Sequence, residues 1–193
     1  MKEEHQMLSG LRIKEEIAKG NILFDPYNPD QVNSNSYNVK LHNELLVYDL
    51  PWDGAWLDMK QDNPTRSIKI PECGIMLKPG ILYLGRTVEY TETYDFVPCF
   101  DGRSSGGRLG ISVHETAGFG DDGFCGYWTL EISVVHPTII YPFVQIGQIY
   151  FYPIERATNE TLDPNKRITY NGKYQNNKDI QSSMMWKELA ENT

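Results

Sequence analysis

Thirty-one residues, Asp101 to Glu131, concentrate the side chains that could do chemistry. The stretch opens with Asp-Gly-Arg-Ser-Ser-Gly-Gly-Arg-Leu-Gly. Gly102, Gly106 and Gly107 would let backbone approach a ligand closely. Ser104 and Ser105 offer hydroxyls, and Arg103 and Arg108 offer planar forks of donors suited to phosphate. Asp121-Asp122-Gly123 is a turn signal; Asp121 could accept a hydrogen bond from a sugar hydroxyl, with Phe124 as a flat apolar surface under the sugar. The stretch closes on Tyr-Trp-Thr-Leu-Glu. Side chains alternate along a strand, so Trp128, Leu130, Ile132 and Val134 share one face, and Tyr127, Thr129, Glu131 and Ser133 share the other. Glu131 therefore leaves the polar face beside Thr129. Taken singly, each piece has a plain reading: a solvated strand glutamate, a polar turn with two arginines, a hairpin. Taken together they describe a nucleotide site.

Other chemistries find no support. His114-Glu115 has no second histidine at metal spacing, and His5, His42, His114 and His136 form no ligand pattern. A zinc nucleobase deaminase needs His-x-Glu with Pro-Cys-x-x-Cys, whereas Pro98-Cys99 continues as Phe100-Asp101-Gly102. There is no Walker loop. His114 reads as a satisfied structural histidine.

The elements around this stretch are short. Ser9 can cap a helix running to Lys19 and stopping at Gly20. Strands are expected at 22–24, across 36–48 as a strand pair with one buried face, and at 67–71, 74–77 and 81–90. Others follow at 94–100, 127–135, 139–141 and 144–152, and 51–64 reads as loop. Strands at intervals of about ten residues, punctuated by Gly, Pro and Asn, predict an antiparallel sandwich or jelly roll. From about residue 155 Asn, Lys, Asp and Gln take over. That segment reads equally as a disordered tail or as one that orders over a ligand or a neighbouring subunit.

Composition sets the frame. The chain has 193 residues, enough for one domain, with 40% hydrophobic residues and 12 tyrosines. Net charge is −8, which disfavours coating of nucleic acid. Cys73, Cys99 and Cys125 are odd in number and widely spaced, arguing for a reducing compartment. The charged first six residues precede no apolar run, and no stretch approaches the roughly 20 apolar residues of a membrane span. A cytoplasmic protein is expected.

Arg103-Ser-Ser-Gly-Gly-Arg108-Leu-Gly, Val113-His114 with Thr116-Ala117, Asp121 with Gly123-Phe124, and Thr129-Leu130-Glu131 resemble the dCTP deaminase branch of the dUTPase-like family. Further likeness lies in Leu8-Ser9, Ser36 to Leu41, Tyr141-Pro142 with Ile146-Gly-Gln148, and Gly172-Lys173-Tyr174-Gln175, so most of residues 8–186 is covered in order. The resemblance implies a mainly β fold, a dUTPase-like distorted jelly roll or β-clip barrel. Residues 1–154 would form the β domain with its N-terminal helix, and 155–193 the polar lid of the same domain. It implies a homotrimer with active sites between subunits and hydrolytic deamination of dCTP to dUTP and ammonia. No zinc or other metal acts at the base, and Mg²⁺ is bound only through the triphosphate.

By the same resemblance Glu131 is the catalytic glutamate, while Ser104, Arg108 and the backbone of Ala117 hold the nucleophilic water and the reacting edge of the base. Arg103 and Ser105, with Gly106 and Gly107, belong to the phosphate loop. Asp121 meets the deoxyribose 3′-hydroxyl and Phe124 underlies the sugar. Thr129 and Leu130 offer backbone to the base, Gln148 is a further binding residue, and Tyr170, Lys173 and Asn177 are the lid positions. Partners are then dCTP and dUTP, with dTTP as a candidate inhibitor, and neither nucleic acid nor membrane. Departures are local. Asn38 stands where Asp is common, Gly106 where a bulky apolar residue is usual, Gly120 where Ile is usual and Asn177 where Gln is usual. Tyr170 is the nearest match for the lid tyrosine, and both glycines are expected to loosen the site.

Three function classes stay open: the dCTP deaminase; an enzyme that carries dCTP through to dUMP, or a simple dUTPase; and a trimeric nucleotide-binding regulator without turnover. Glu131 in Thr-Leu-Glu favours deamination. Asp121 is shared with dUTPases, where an aspartate in that turn activates the hydrolytic water.

Overall fold

The computed structural model describes residues 6–52 and 54–191. His5 and the rest of the first five residues, with 192 and 193, lie outside them. The single long N-terminal helix, α1 (Gly10–Lys19), begins where Ser9 Oγ accepts the Arg12 N–H at 3.3 Å and ends at Gly20, whose φ is 81°. Ile13 is fully buried beneath it, so the helix docks by one apolar face, as a helix this short must.

Eleven strands follow among the described residues: β1 (Ile22–Asp25), β2 (Tyr37–Lys40), β3 (Glu44–Tyr48), β4 (Thr65–Lys69), β5 (Ile75–Leu77), β6 (Tyr83–Thr93), β7 (Phe96–Gly102), β8 (Ile111–Ser112), β9 (Cys125–Val134), β10 (Thr138–Ile140) and β11 (Gln145–Pro153). The named strands all pair antiparallel. One sheet runs β4-β3-β6-β9-β8 with β1 also on β6; a second is β2-β11-β7; β10 and β5 form a small third. A bridge between Leu41 and Thr87 joins the first two, and the whole curls around one core. The architecture is mainly β, as the spacing of short strands predicts.

The expected pair across 36–48 is a correction. β2 pairs with β11 and β3 pairs with β4 and β6, so the two consecutive strands belong to different sheets. The chain changes sheet at Leu41, whose N–H donates to Val144 O at 3.0 Å and whose carbonyl accepts from the Phe143 N–H at 2.8 Å. The very next N–H, of His42, donates to Arg86 O at 2.9 Å. Adjacent peptides thus bond to opposite sheets. Alternation in sequence reports a buried face, not which neighbour supplies it.

β9 is the strand that matters for function. Leu130 and Ile132 are fully buried and Trp128 and Val134 nearly so. Burying each such aliphatic side chain stabilises the strand by roughly 1.5–3 kcal/mol, which holds the opposite, polar face in place. The loop expected at Arg103–Gly110 is instead one helical turn, α2 (Ser104–Arg108).

The C-terminal segment is ordered, with short helices α3 (Thr158–Leu162) and α4 (Met185–Glu191). It lies along β9 and the preceding turn. Tyr170 N–H donates to Asp122 O at 2.7 Å and Asn176 N–H to Cys125 O at 2.8 Å. Its polar composition reflects a segment anchored by hydrogen bonds more than by apolar burial. Among the described residues no helix is long and apolar enough to cross a membrane.

Candidate functional site

The polar face of β9 and the C-terminal segment enclose a cleft of about 480 Å³. Glu131, Thr129, Ala117, Asp121, Phe124, Tyr170 and Asn177 all line it. A second hollow of about 310 Å³ is lined by Arg103, Ser104 and Gly107. His114 lines both. The residues singled out in the sequence thus fall into a base-side half and a loop half within one chain.

Glu131 sits half-buried, its side chain 28% exposed. Its Oε2 accepts the Glu115 N–H at 3.0 Å and lies 3.6 Å from His114 Nδ1. The second contact is longer than a well-formed hydrogen bond and acts through electrostatics. The carboxyl pKa is held below the ordinary glutamate value, first by His114 and then by the Glu115 and Thr116 peptides, against burial that pushes it up. Glu131 is therefore an ionised carboxylate at neutral pH, and so a base.

His114 differs from its expectation. Its side chain is 10% exposed, and neither ring nitrogen has a hydrogen-bond partner among the described residues. It is wedged edge-on to Phe100, with ring centroids 4.7 Å apart, and to Trp128 at 6.3 Å. A buried imidazole in that condition is not a satisfied structural histidine.

Strand geometry exposes a recognition edge beside Glu131. The Glu131 N–H donates to Val113 O at 3.0 Å. Asn177 Oδ1 accepts the Tyr127 N–H at 2.8 Å, and Asn177 Nδ2 donates to Tyr127 O at 3.0 Å. Peptide groups alternate in direction along an antiparallel strand. The Thr129 N–H and C=O therefore point to the same edge, into the gap between Val113 and Asn177. One donor and one acceptor side by side suit the polar edge of a pyrimidine. The Thr129 hydroxyl accepts the Gln181 N–H at 3.2 Å. Leu130 itself is buried in the core, so its side chain takes no part in the cleft.

The turn beneath carries Asp121 and Phe124. Phe124 N–H donates to Asp121 O at 3.2 Å, and Gly123 supplies the positive φ of 88° that the turn requires. Phe124 packs edge-on to Trp128 at 5.5 Å and to Tyr170 at 5.8 Å. Burial raises the Tyr170 pKa, and Asp121 adds to the rise. Gly120 does not loosen this wall. A Cβ there would come within 2.7 Å of Trp128 Cη2 and 2.9 Å of Pro98 Cγ. The indole fills the space that a larger residue would take.

The loop half is turned elsewhere. Arg108 Nη1 donates back to Ser104 O at 2.9 Å, and Arg103 Nη1 to Gln145 O at 3.4 Å. Ser105 is exposed. A side chain at Gly106 or Gly107 would meet nothing within 4 Å, so those glycines border open space in the single chain. Gln148 supports the loop from behind, its Nε2 donating to Gly102 O at 3.3 Å and its Oε1 accepting from Ser36 Oγ at 2.9 Å. Lys173 is outside the cleft lining and pairs with Glu188 of α4. Among the described residues no group of three or more His, Cys, Asp or Glu is placed to hold a metal.

Sequence reasoning missed several walls of the cleft. Tyr48, Leu84, Tyr174 and Gln181 line it. Tyr48 Oη accepts the Ser183 N–H at 3.3 Å and Tyr174 Oη the Met184 N–H at 3.0 Å. Only Tyr174 carried a signal, as a neighbour of Lys173 in the lid motif. Tyr48 ends a strand like any other.

Comparisons with known proteins point one way. A family model described as dCTP deaminase-like matches residues 7–154. A protein of Cytophaga hutchinsonii named "dCTP deaminase, dUMP-forming" is 51% identical over 184 residues, covering 95% of this chain and 98% of its own. One of the same name from Clostridium acetobutylicum is 53% identical over 183 residues, with 95% and 98% coverage. Among solved structures, the 2′-deoxycytidine 5′-triphosphate deaminase of Agrobacterium tumefaciens superposes with a TM-score of 0.62 at 21% identity. That match covers 81% of this chain and 51% of the solved one, so this chain spans about half its length and shares its fold.

Proposed function

This chain belongs to the dCTP deaminase-like family, and on that premise we propose that it converts dCTP to dUMP, with release of ammonia and diphosphate. The observation that carries this reading is near full-length similarity, at about half identity, to relatives named as dUMP-forming dCTP deaminases. It favours the two-step enzyme over the simple deaminase that the Thr-Leu-Glu signature alone put first.

The cleft suits the first step. The pyrimidine ring enters with its polar edge against the Thr129 peptide and its C4 towards Glu131. One Glu131 oxygen is held by the Glu115 N–H, and the other is directed to a water. The carboxylate takes a proton from that water as its oxygen bonds to C4, then delivers it to ring N3. A further proton transfer to the amino group lets ammonia leave, and the C4 carbonyl forms. A positioned base of this kind contributes typically ~10²–10⁴-fold. The Asp121 carboxylate accepts from the 3′-hydroxyl and Phe124 lies under the sugar.

The second step is attack of another water on the α-phosphorus with loss of diphosphate, which consumes dUTP and yields dUMP. Asp121 is the nearest named carboxylate to the sugar and our candidate to orient that water. Arg103 and Ser105 supply donors for the phosphates, while Ser104 and Arg108 hold the deaminating water and the reacting edge of the base. Mg²⁺ would ride on the triphosphate, where it would neutralise phosphate charge when bound.

We assign a homotrimer with shared sites. In the single chain neither Arg108 nor Ser104 lines the cleft that holds Glu131, and a neighbouring copy can bring its loop to the open side of the cleft. All three cysteines are free, which fits the cytoplasmic setting, with its deoxynucleotide pool, that we propose.

The test is a product assay with dCTP and Mg²⁺ that resolves dUTP, dUMP and diphosphate. Formation of dUMP and diphosphate without a pool of dUTP supports the reading. Accumulating dUTP would return the chain to a simple deaminase, and untouched dCTP would remove Glu131 from its role.

A further inference from the structure

Behind the turn that bears Asp121 lies a cluster of four charges that the reaction does not use. Arg156 Nη2 donates to Asp95 Oδ1 at 2.6 Å and to Asp122 Oδ2 at 2.7 Å. Arg167 Nη1 donates to the same Asp95 oxygen at 2.8 Å. Asp122 Oδ1 accepts the Asp95 N–H at 2.7 Å, and the Asp122 carbonyl accepts the Tyr170 N–H at 2.7 Å. Two carboxylates thus face two guanidinium groups, and Asp122 is held by its carbonyl and both carboxylate oxygens.

Three parts of the chain meet here. Asp95 belongs to the β6–β7 corner of the scaffold. Asp122 is the neighbour of Asp121 in the sugar-side turn. Arg156 and Arg167 begin the C-terminal segment that covers the cleft. None of the four lines the cleft, yet Asp121, Phe124 and Tyr170 beside them do. The Arg156 side chain is 13% exposed and that of Asp122 11%. Burial alone would depress the Arg156 pKa; its hydrogen bonds to Asp122 and Asp95 outweigh that and raise it. Removing one partner of such a pair leaves a buried charge unmatched, so the arrangement has one strongly preferred geometry.

We propose that Arg156 is a positioning residue: by clamping Asp122 to Asp95 it sets where Asp121 meets the substrate, and so determines how strongly the enzyme demands a sugar 3′-hydroxyl. This rests on the assignment of Asp121 to that hydroxyl. Arg156 touches no substrate atom. Its effect travels through one peptide unit, from Asp122 to Asp121, and through Tyr170 to the covering segment.

A merely structural tie would lower the amount of folded enzyme for every substrate alike. A positioning residue changes a ratio. The measurement is kcat/KM for dCTP against 2′,3′-dideoxycytidine 5′-triphosphate, with the full chain and Mg²⁺, for wild type, Arg156→Gln, Arg156→Lys, Asp95→Asn and Asp121→Asn. Wild type is expected to prefer dCTP. Arg156→Gln is expected to lose on the order of tenfold of that preference, the scale of one charged hydrogen bond, chiefly through a higher KM for dCTP. Arg156→Lys restores most of it, because an ammonium can donate to both carboxylates. Asp95→Asn keeps the shape of a residue with φ of 67°, a conformation asparagine tolerates, and falls between. An unchanged ratio in folded Arg156→Gln overturns the proposal; should that variant not fold, the ratio in Asp95→Asn decides. If Asp121→Asn leaves the preference intact while dCTP is still converted, the Asp121 assignment fails and the proposal with it. The dUMP-forming reading stands or falls separately, on whether wild type converts dCTP to dUMP and diphosphate.

Discussion

His114 Nδ1 stands 3.6 Å from Glu131 Oε2 and is the first cause of that carboxyl's lowered pKa. The sign follows directly. A depressed folded-state pKa favours the ionised form, so the associated stability is present above the unfolded pKa and is lost as pH falls through the folded one. The base titrates with it. The acid limb of kcat/KM for dCTP is expected below the 4.5 of an ordinary glutamate. His114→Asn should move that limb to higher pH while turnover at neutral pH persists. A limb that stays put would detach the imidazole from the base.

Glu131→Gln keeps the shape of the side chain and its acceptor for the Glu115 N–H, but it cannot take a proton. Ammonia release should fall by ~10²–10⁴-fold or more, with dCTP binding retained in calorimetry. Comparable turnover in that variant would require a different base.

Complementation between two inactive variants can reveal a shared site. Glu131→Gln and Arg108→Ala are each expected to be inactive as pure proteins. If loop and glutamate come from different copies, mixed and reassembled oligomers regain about a quarter of wild-type activity, because random assembly leaves that fraction of sites with both residues intact. No recovery after verified subunit exchange would place both residues in one chain's site.

Truncation before Arg167 removes Tyr170, Asn177 and the bonds that cap the edge of β9 at Tyr127. We expect a rise in the KM for dCTP of roughly tenfold or more, since two or three hydrogen-bonded covering residues are lost. The melting temperature should fall much less. A collapse of folding with KM unchanged in the surviving protein would make the segment purely structural.

Gly120 tests the packing of the cleft wall beside Asp121. Gly120→Ala forces a methyl group against Trp128 and Pro98 and should cost about 1–3 kcal/mol, the usual range for overpacking. In a chain of this size that lowers the melting temperature by roughly 2–12 °C. The cost should shrink in a Trp128→Phe background, where the ring withdraws. Equal costs in both backgrounds would rule out the indole as the obstacle.

Much of this was legible beforehand because it is local. Ser9 and Gly20 delimit α1 by capping chemistry that needs no partner. Alternation along β9 assigns Glu131 and Thr129 to one face and Leu130 to the core, because the period of a strand is a backbone property. Asp121 to Phe124 form a turn because Gly123 can take a positive φ.

Other features depend on groups far apart in sequence. The region 36–48 alternates correctly, yet its two strands entered different sheets, since pairing is chosen by β11 and β6, far along the chain. The composition of residues 155–193 could not choose between a loose tail and a cover; Asp95, Asp122 and the β9 edge supply the partners that order it. Gly120 was expected to loosen the wall, and the outcome was set by Trp128 eight residues later.

Residue types and backbone periods are written along the chain, so a carboxylate on the polar face of a β-strand and a cationic, glycine-rich loop could be read there in advance. Tertiary packing set an imidazole without a hydrogen-bond partner among the described residues beside Glu131, turned the Thr129 peptide to an open cleft, and left both loop arginines out of the lining of the cleft that holds their own chain's Glu131. Those are relations between surfaces brought together by burial of a shared core, and no local period encodes them.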